Sequence, residues 1–99
     1  EAIMSEIVYT LIEFCSVADV EEQFVFELVE HGILDPALNQ DQWLFPSDAL
    51  NRCLRAERMQ HDLKLNLHGV ALALELSDRN QQLRQRIDYL EQLVDRLRH

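Results

Sequence analysis

Lysine and arginine are absent from the first 51 residues of this 99-residue chain, although eleven of its 18 acidic residues lie there. All nine bases and the other seven acids follow, so the net charge of −9 comes from the front of the chain. Nucleic-acid affinity rests largely on lysine and arginine side chains that neutralise phosphates. The acidic front half therefore argues against DNA as a ligand. It favours a basic protein partner, or serves only to keep the chain soluble.

Long apolar runs and cysteines are also scarce. No uninterrupted apolar run approaches the ~20 residues that a membrane span requires. The first residues lack the basic and then apolar pattern of a signal peptide. The two cysteines, Cys15 and Cys53, lie in helical patterns and are predicted to be unpaired core residues. We therefore predict one cytoplasmic domain with a protruding element and no membrane contact.

The patterns of catalytic and metal sites are missing. His31, His61, His68 and His99 are dispersed, and no Cys/His set has the spacing of metal ligands. His61 and the adjacent Asp62 are expected to point to different helix faces. Two glycines cannot form a phosphate-binding loop. We predict no enzymatic activity, no metal and no cofactor.

Two short helices joined by a tight turn are predicted near the start of the chain. Thr10 and Glu13 form a capping-box pattern for the first helix, and Asp19 and Glu22 repeat it for the second. Gly32 is the expected left-handed stop of the second helix. This spacing predicts a helix-turn-helix, a unit that often reads DNA.

The outward face of the second helix is predicted to carry acids beside aromatic rings. Phe24 and Phe26 are about 200° apart on a helix, so they must flank the acidic strip or fold back against neighbouring elements. Aromatic residues are enriched at protein interfaces. We define the second-helix set, a candidate binding surface, as Glu21, Gln23, Phe26, Glu27 and Glu30.

A small β wing and a third helix are predicted next. The run 43–45 is β-prone and is expected to pair with residues 33–34, while residues 7–9 add an edge strand. Ser47 is the expected cap of the third helix. The apolar face of that helix is predicted to contain Leu50, Cys53, Leu54 and Leu63.

The third helix also carries the chain's only basic cluster, Arg52, Arg55 and Arg58. These arginines are expected to pair with the acidic front half rather than to bind phosphate. A fourth helix is predicted from Leu67, with Asn66 as its cap.

The last segment shows an unbroken heptad pattern. Its apolar positions, with one asparagine, follow a spacing of 4-3-4-3-4-3, which predicts a coiled-coil helix that pairs with a second copy of the chain. The alternative is that this helix folds back on its own domain. We call these residues the seam: Leu76, Asn80, Leu83, Ile87, Leu90, Val94 and Leu97. The predicted division is a winged helix-turn-helix domain over 1–76 and a dimerisation helix over 77–99.

The order of these elements resembles the MerR-type architecture, a mainly α winged helix-turn-helix that dimerises through an antiparallel coiled coil. The Tyr9–Thr10 start, the turn after Gly32 and the Trp43–Phe45 wing carry the resemblance. This chain differs from MerR-type regulators at the positions that contact DNA. MerR-type regulators carry arginines where Gln23 and Phe26 stand here, and another where Leu44 stands in the wing.

A closer resemblance is to the CbpM type of bacterial chaperone modulator. The matching motifs are Ile12-Glu-Phe-Cys15, Trp43-x-Phe45, Arg55-Ala-x-Arg58-x-x-His61-x-Leu63-x-Leu65, Gly69-x-Ala71-x-Ala73-Leu74-x-Leu76 and the leucine heptad. The resemblance implies a protein that binds the J-domain of CbpA, a DnaJ-like co-chaperone, and so blocks its engagement of the Hsp70 chaperone DnaK.

The contact face is left open between two sets. The second-helix set is acidic and suits the basic helix that J-domains present to Hsp70. The other set, which we call the third-helix set, consists of Arg55, Arg58 and His61. These residues belong to the family pattern, and the alternative is that they form internal salt bridges. Two other functions remain: a MerR-type DNA-binding regulator and an acidic adaptor for a different basic partner.

Overall fold

The computed structural model describes residues 7–98 as four helices and three short strands. The elements are β1 (Val8–Thr10), α1 (Leu11–Ala18), α2 (Glu22–Glu30), β2 (Ala37–Asn39), β3 (Gln42–Pro46), α3 (Asp48–Leu63) and α4 (Leu67–Arg98). The strands form one antiparallel sheet in the order β1-β3-β2. The predicted mainly α fold with a small wing and a long C-terminal helix is confirmed. His99 and residues 1–6 lie outside the described range.

One of the two predicted capping boxes exists. The Thr10 backbone N–H donates to Glu13 Oε1 at 2.9 Å, and the Glu13 N–H donates to Thr10 Oγ1 at 3.3 Å. The second box, Asp19 with Glu22, is wrong. Asp19 instead ends α1 in the left-handed conformation (φ 59°), and Glu21 precedes α2 without a side-chain cap. Aspartate tolerates this conformation, and here it turns the chain between the helices.

Gly32 ends α2 as predicted, with a φ of 73°. The Ile33 N–H donates to the Leu28 carbonyl at 2.8 Å and the Gly32 N–H to the Val29 carbonyl at 3.0 Å. These two bonds form a Schellman motif, which satisfies carbonyls that the helix end leaves unpaired. The motif turns Ile33 and Leu34 into the core, where they are 3% and 2% exposed.

The predicted pairing of the wing is therefore wrong. Residues 33–34 are buried, and β3 pairs instead with β2, where Leu38 faces Trp43. The predicted edge strand is present as β1, with Tyr9 opposite Phe45. A β-hairpin whose two-residue turn is 40–41 thus forms the wing.

The core lies between the sheet and the helices. Phe14 of α1 and Phe45 of β3 are fully buried, and their rings stack with centroids 4.5 Å apart. Of the apolar residues predicted for α3, Cys53 is fully buried and Leu50 packs against the core. Leu54 and Leu63 are instead 40% and 61% exposed, and Ala56 is buried although it was not predicted. Leu54 is about 100° around the helix from Cys53, so it points away from the sheet. Ser47 is the N-cap residue of α3 as predicted, but its side chain forms no capping hydrogen bond.

Both cysteines are free, as predicted. Cys53 is fully buried, and Cys15 is half-buried. Burial, with the nearby carboxylate of Glu57, raises the pKa of the Cys53 thiol to about 11. The Cys53 thiol is therefore protonated at neutral pH and behaves as a small apolar side chain.

The fourth helix and the coiled-coil segment are one continuous helix. As predicted, α4 begins at Leu67, where Asn66 Oδ1 accepts a hydrogen bond from the Gly69 N–H at 2.9 Å. It then runs for 32 residues without a break, so the predicted boundary after Leu76 lies inside it. Every residue from Arg79 to Arg98 is exposed, and α4 therefore does not fold back on its own domain. No helix within 7–98 is both long and apolar enough to cross a membrane.

Two of the three arginines of α3, Arg52 and Arg55, pair with α4, and not with the acidic front half as predicted. Arg52 Nη1 lies 2.9 Å from Asp78 Oδ2, and Arg55 Nη1 lies 3.7 Å from Asp78 Oδ1. Arg52 Nε also donates to the Ile33 carbonyl at 2.8 Å. Arg52 therefore joins the turn after α2 to the point where α4 leaves the domain.

We expect Arg52→Ala to lower the free energy of unfolding by about 1–2 kcal/mol. The side chains of Arg52 and Asp78 are 32% and 42% exposed, so solvent weakens the ion pair, but the carbonyl of buried Ile33 loses its donor. Urea denaturation measures the change. Arg58→Ala is the control, since Arg58 is exposed and has no ion pair among the described residues, and an equal loss there would contradict this role.

Candidate protein-interaction surface

The second-helix set is largely exposed on α2. Glu21, Gln23 and Glu30 are exposed, and Phe26 is 41% exposed. Glu27 is half-buried, and its backbone carbonyl contacts His31 Nδ1 at 2.8 Å. Four of the five side chains are thus available to a partner, and Glu27 is partly so.

A chain of aromatic contacts connects this surface to the core. Phe26 meets Trp43 edge to face with ring centroids 5.6 Å apart, and Trp43 meets Phe45 at 6.0 Å. Phe45 in turn stacks on Phe14. The Phe26 ring thus packs against the neighbouring wing while part of it stays exposed, and Phe24 is half-buried against the core. Sequence reasoning assigned Trp43 to the wing but missed this contact, because it depends on how the wing packs on α2.

A cleft of about 410 Å³ lies beside Phe26, between the start of α1, α2 and the tip of the wing. We call it the wing cleft. Its lining residues are Thr10, Leu11, Ile12, Glu22, Phe26, Asp41, Gln42 and Trp43. Only Phe26 was predicted as a site residue. The others come from three separate segments of the chain, and the one available signal was the absence of any base among them.

The third-helix set is divided between two environments. Arg55 contacts Asp78 and lies 3.3 Å from Ser77 Oγ, so it helps to hold α4. Arg58 and His61 are exposed and line a separate cleft of about 320 Å³. His61 Nδ1 lies 3.2 Å from Asp62 Oδ1, and the prediction that these two side chains point to different faces is wrong. Only Arg58 and His61 therefore remain as a surface.

The seam is exposed along α4. Leu76, Leu83, Ile87, Leu90, Val94 and Leu97 are 47–81% exposed, and Asn80 is exposed between them. The seam is thus an exposed stripe of apolar side chains, interrupted by Asn80, along one side of α4. Among residues 7–98, no three His, Cys, Asp or Glu side chains come together to hold a metal ion.

Known proteins resemble this chain in both sequence and fold. The family described as MerR HTH family regulatory protein matches residues 9–92. The chaperone modulatory protein CbpM of Pseudomonas putida (strain W619) is 41% identical over 83 residues, covering 83% of this chain and 82% of that protein. The protein of the same name from Citrobacter koseri is 34% identical over 91 residues, covering 91% and 90%.

A solved structure shares the architecture. The crystal structure of a MerR-family transcriptional regulator from Bacillus cereus aligns with a TM-score of 0.60 over 87% of this chain and 70% of that one. Its sequence identity of 19% supports the fold alone. The higher identities to the CbpM proteins extend over most of both chains and therefore show membership of the same family, not only a shared fold. The chain therefore belongs to the CbpM family of chaperone modulatory proteins, built on the MerR helix-turn-helix fold.

Proposed function

We propose that this protein binds the J-domain of a CbpA-type, DnaJ-like co-chaperone and prevents that J-domain from engaging the Hsp70 chaperone DnaK. The observation that carries the proposal is the exposed acidic and aromatic surface of α2, together with the family membership. The basic helix that a J-domain presents to Hsp70 would then face the carboxylates of α2 instead. Complementary charge speeds the encounter and selects the partner.

The same surface disfavours direct DNA binding, which is the alternative that the MerR fold suggests. In MerR-type regulators the corresponding helix carries arginines, whereas no lysine or arginine occurs before Arg52. A helix with exposed Glu21 and Glu30 repels the phosphate backbone. We therefore propose no direct nucleic-acid contact. Two unpaired cysteines fit a reducing compartment, and we place the protein in the bacterial cytoplasm.

We further propose that two copies associate through the seam. A single helix of about 20 residues with its apolar stripe in water is marginal, and pairing of two stripes buries these side chains. From Asn80 onward the seam lies beyond Ser77 and Asp78, the residues of α4 that contact the arginines of α3.

The direct test is binding of the full chain to an isolated CbpA-type J-domain, measured by calorimetry. We expect a 1:1 complex per protomer that weakens as salt rises, because exposed charges carry the attraction. Glu27→Lys with Glu30→Lys should abolish binding. Both residues lie in the last turn of α2, where a positive charge suits the helix dipole and helicity should be kept.

The control adds negative charge at the two exposed residues of the third-helix set. Arg58→Glu with His61→Glu changes two exposed side chains and should leave J-domain affinity unchanged. Loss of binding in this variant alone would move the site to α3. Absence of binding by the wild-type chain at micromolar concentration would overturn the proposed function. In a second assay, the wild-type chain should suppress J-domain stimulation of DnaK ATPase, and the α2 variant should not.

A further inference from the structure

We propose that the wing cleft receives one large apolar side chain from the partner's basic helix, while Glu22 and Asp41 face the lysine or arginine residues that flank it. This inference rests on the proposed function and adds the anchor point of the complex. It moves the centre of the interface from the outer face of α2 to the junction of α1, α2 and the wing.

Four apolar side chains form part of the cleft wall: Leu11, Ile12, Phe26 and Trp43. Ile12 is 73% exposed although it lies on a short helix with buried neighbours such as Phe14. Phe26 is fixed against Trp43, which is itself held by the fully buried Phe45. Aromatic and aliphatic anchors in such pockets dominate the energy of protein interfaces. A volume of about 410 Å³ is enough for one large side chain.

The charge of the cleft identifies its occupant as basic. Glu22 and Asp41 line it, and no lysine or arginine does. An apolar peptide without charge would leave these two carboxylates without a counterpart as water is expelled. A helix with lysine or arginine beside its apolar anchor satisfies both parts of the site.

The hairpin that presents Asp41 is held in an unusual conformation. Gln40 and Asp41 have φ values of 53° and 63°, as both central residues of a two-residue turn with Asn39 opposite Gln42 require. Such a turn usually contains glycine, which adopts positive φ without strain. Aspartate also tolerates this conformation, so the turn places the Asp41 carboxylate at the cleft.

The test compares two substitutions on the same helix. Ile12→Lys puts a positive charge at the cleft, and Val17→Lys makes the same change at a 55% exposed residue of α1 outside it. We expect J-domain affinity to fall about tenfold or more for Ile12→Lys and less than twofold for Val17→Lys. Asp41→Asn, which keeps a residue that tolerates positive φ, should weaken binding severalfold. Circular dichroism melts establish that each variant is folded.

Trp43 supplies an independent signal, because it is the only tryptophan of the chain. Titration with a tryptophan-free J-domain should shift its emission to shorter wavelength as the cleft loses water. Unchanged affinity in Ile12→Lys and Asp41→Asn, with loss in the Glu27→Lys and Glu30→Lys variant, would overturn the cleft as anchor and leave the proposed function intact. No binding by the wild-type chain would overturn both.

Discussion

Ile87→Asp should separate the proposed dimer into monomers at micromolar concentration. Ile87 lies in the middle of the seam and is 53% exposed in the single chain. Pairing would bury it in both copies, and each buried isoleucine contributes about 1.5–3 kcal/mol. Losing two of them and introducing two carboxylates at the contact should weaken association by roughly 100-fold or more. Sedimentation equilibrium over a range of concentrations measures this change.

The matched control for that substitution is Gln85→Asp. It adds the same charge to the same helix two residues away, at an exposed position outside the heptad seam. Its mass should equal that of the wild-type chain. A wild-type chain that sediments as a monomer would contradict the proposed dimer, as would an unchanged mass for Ile87→Asp.

A point substitution is preferable to truncation after Ser77. A chain ending there would also lose Asp78, the ion-pair partner of Arg52 and Arg55. Truncation would therefore change the domain and the seam together, and a change in mass could not be assigned to the seam.

Phe45→Ala should cost about 3–5 kcal/mol of unfolding free energy. Phe45 is fully buried, stacks on Phe14 and contacts Trp43, so its loss removes an aromatic contact between the sheet and α1. Domains of this size have a total stability of about 5–15 kcal/mol. The variant should consequently be partly unfolded near 37 °C. Urea denaturation at a fixed protein concentration measures the effect, because association would add to apparent stability.

Phe26→Ala removes the same ring from a half-open position and provides the comparison. Because Phe26 is 41% exposed, we expect a loss of about 1 kcal/mol or less. Similar losses of unfolding free energy for both variants would contradict the assignment of Phe45 to the core and of Phe26 to the surface. A loss below 1 kcal/mol for Phe45→Ala would contradict its place at the centre of the core.

Local features that depend on residues a few positions apart were predicted correctly where the residue types allow only one conformation. The Thr10–Glu13 box, the Gly32 stop and the start of α4 after Asn66 are confirmed, because each depends on backbone groups three or four residues away. Asp19 shows the limit of such reasoning. Aspartate suits both a helix start and a left-handed turn, and here it takes the turn, with its N–H donating to the Cys15 carbonyl at the end of α1.

Pairings between distant segments were predicted poorly. The sequence placed the third-helix arginines against the acidic front half, whereas Arg52 and Arg55 contact Asp78 of α4. Total charge favoured the front half, but an ion pair needs side chains within about 4 Å, and the packing of α3 on α4 decides that distance. Leu54 and Leu63 were likewise assigned to the core, although the buried face of α3 is centred on Cys53 and Ala56.

The candidate surface also contains one part that local patterns predicted and one part that depends on distant segments. Charge and helical periodicity identified an acidic outward face on α2, and the structure leaves Glu21, Gln23 and Glu30 exposed there. The wing cleft could not be found this way. It exists only because the start of α1, the side of α2 and the wing tip meet around Phe26 and Trp43.

The sequence by itself determined the helix-turn-helix order, the acidic front half and the heptad of α4, because composition and short-range periodicity contain that information. The tertiary structure alone decided that Asp78 pairs with Arg52 and Arg55 of α3, and that a cleft opens beside the acidic face of α2. These features depend on the packing of residues far apart in the chain. Local patterns restrict such packing but do not specify it.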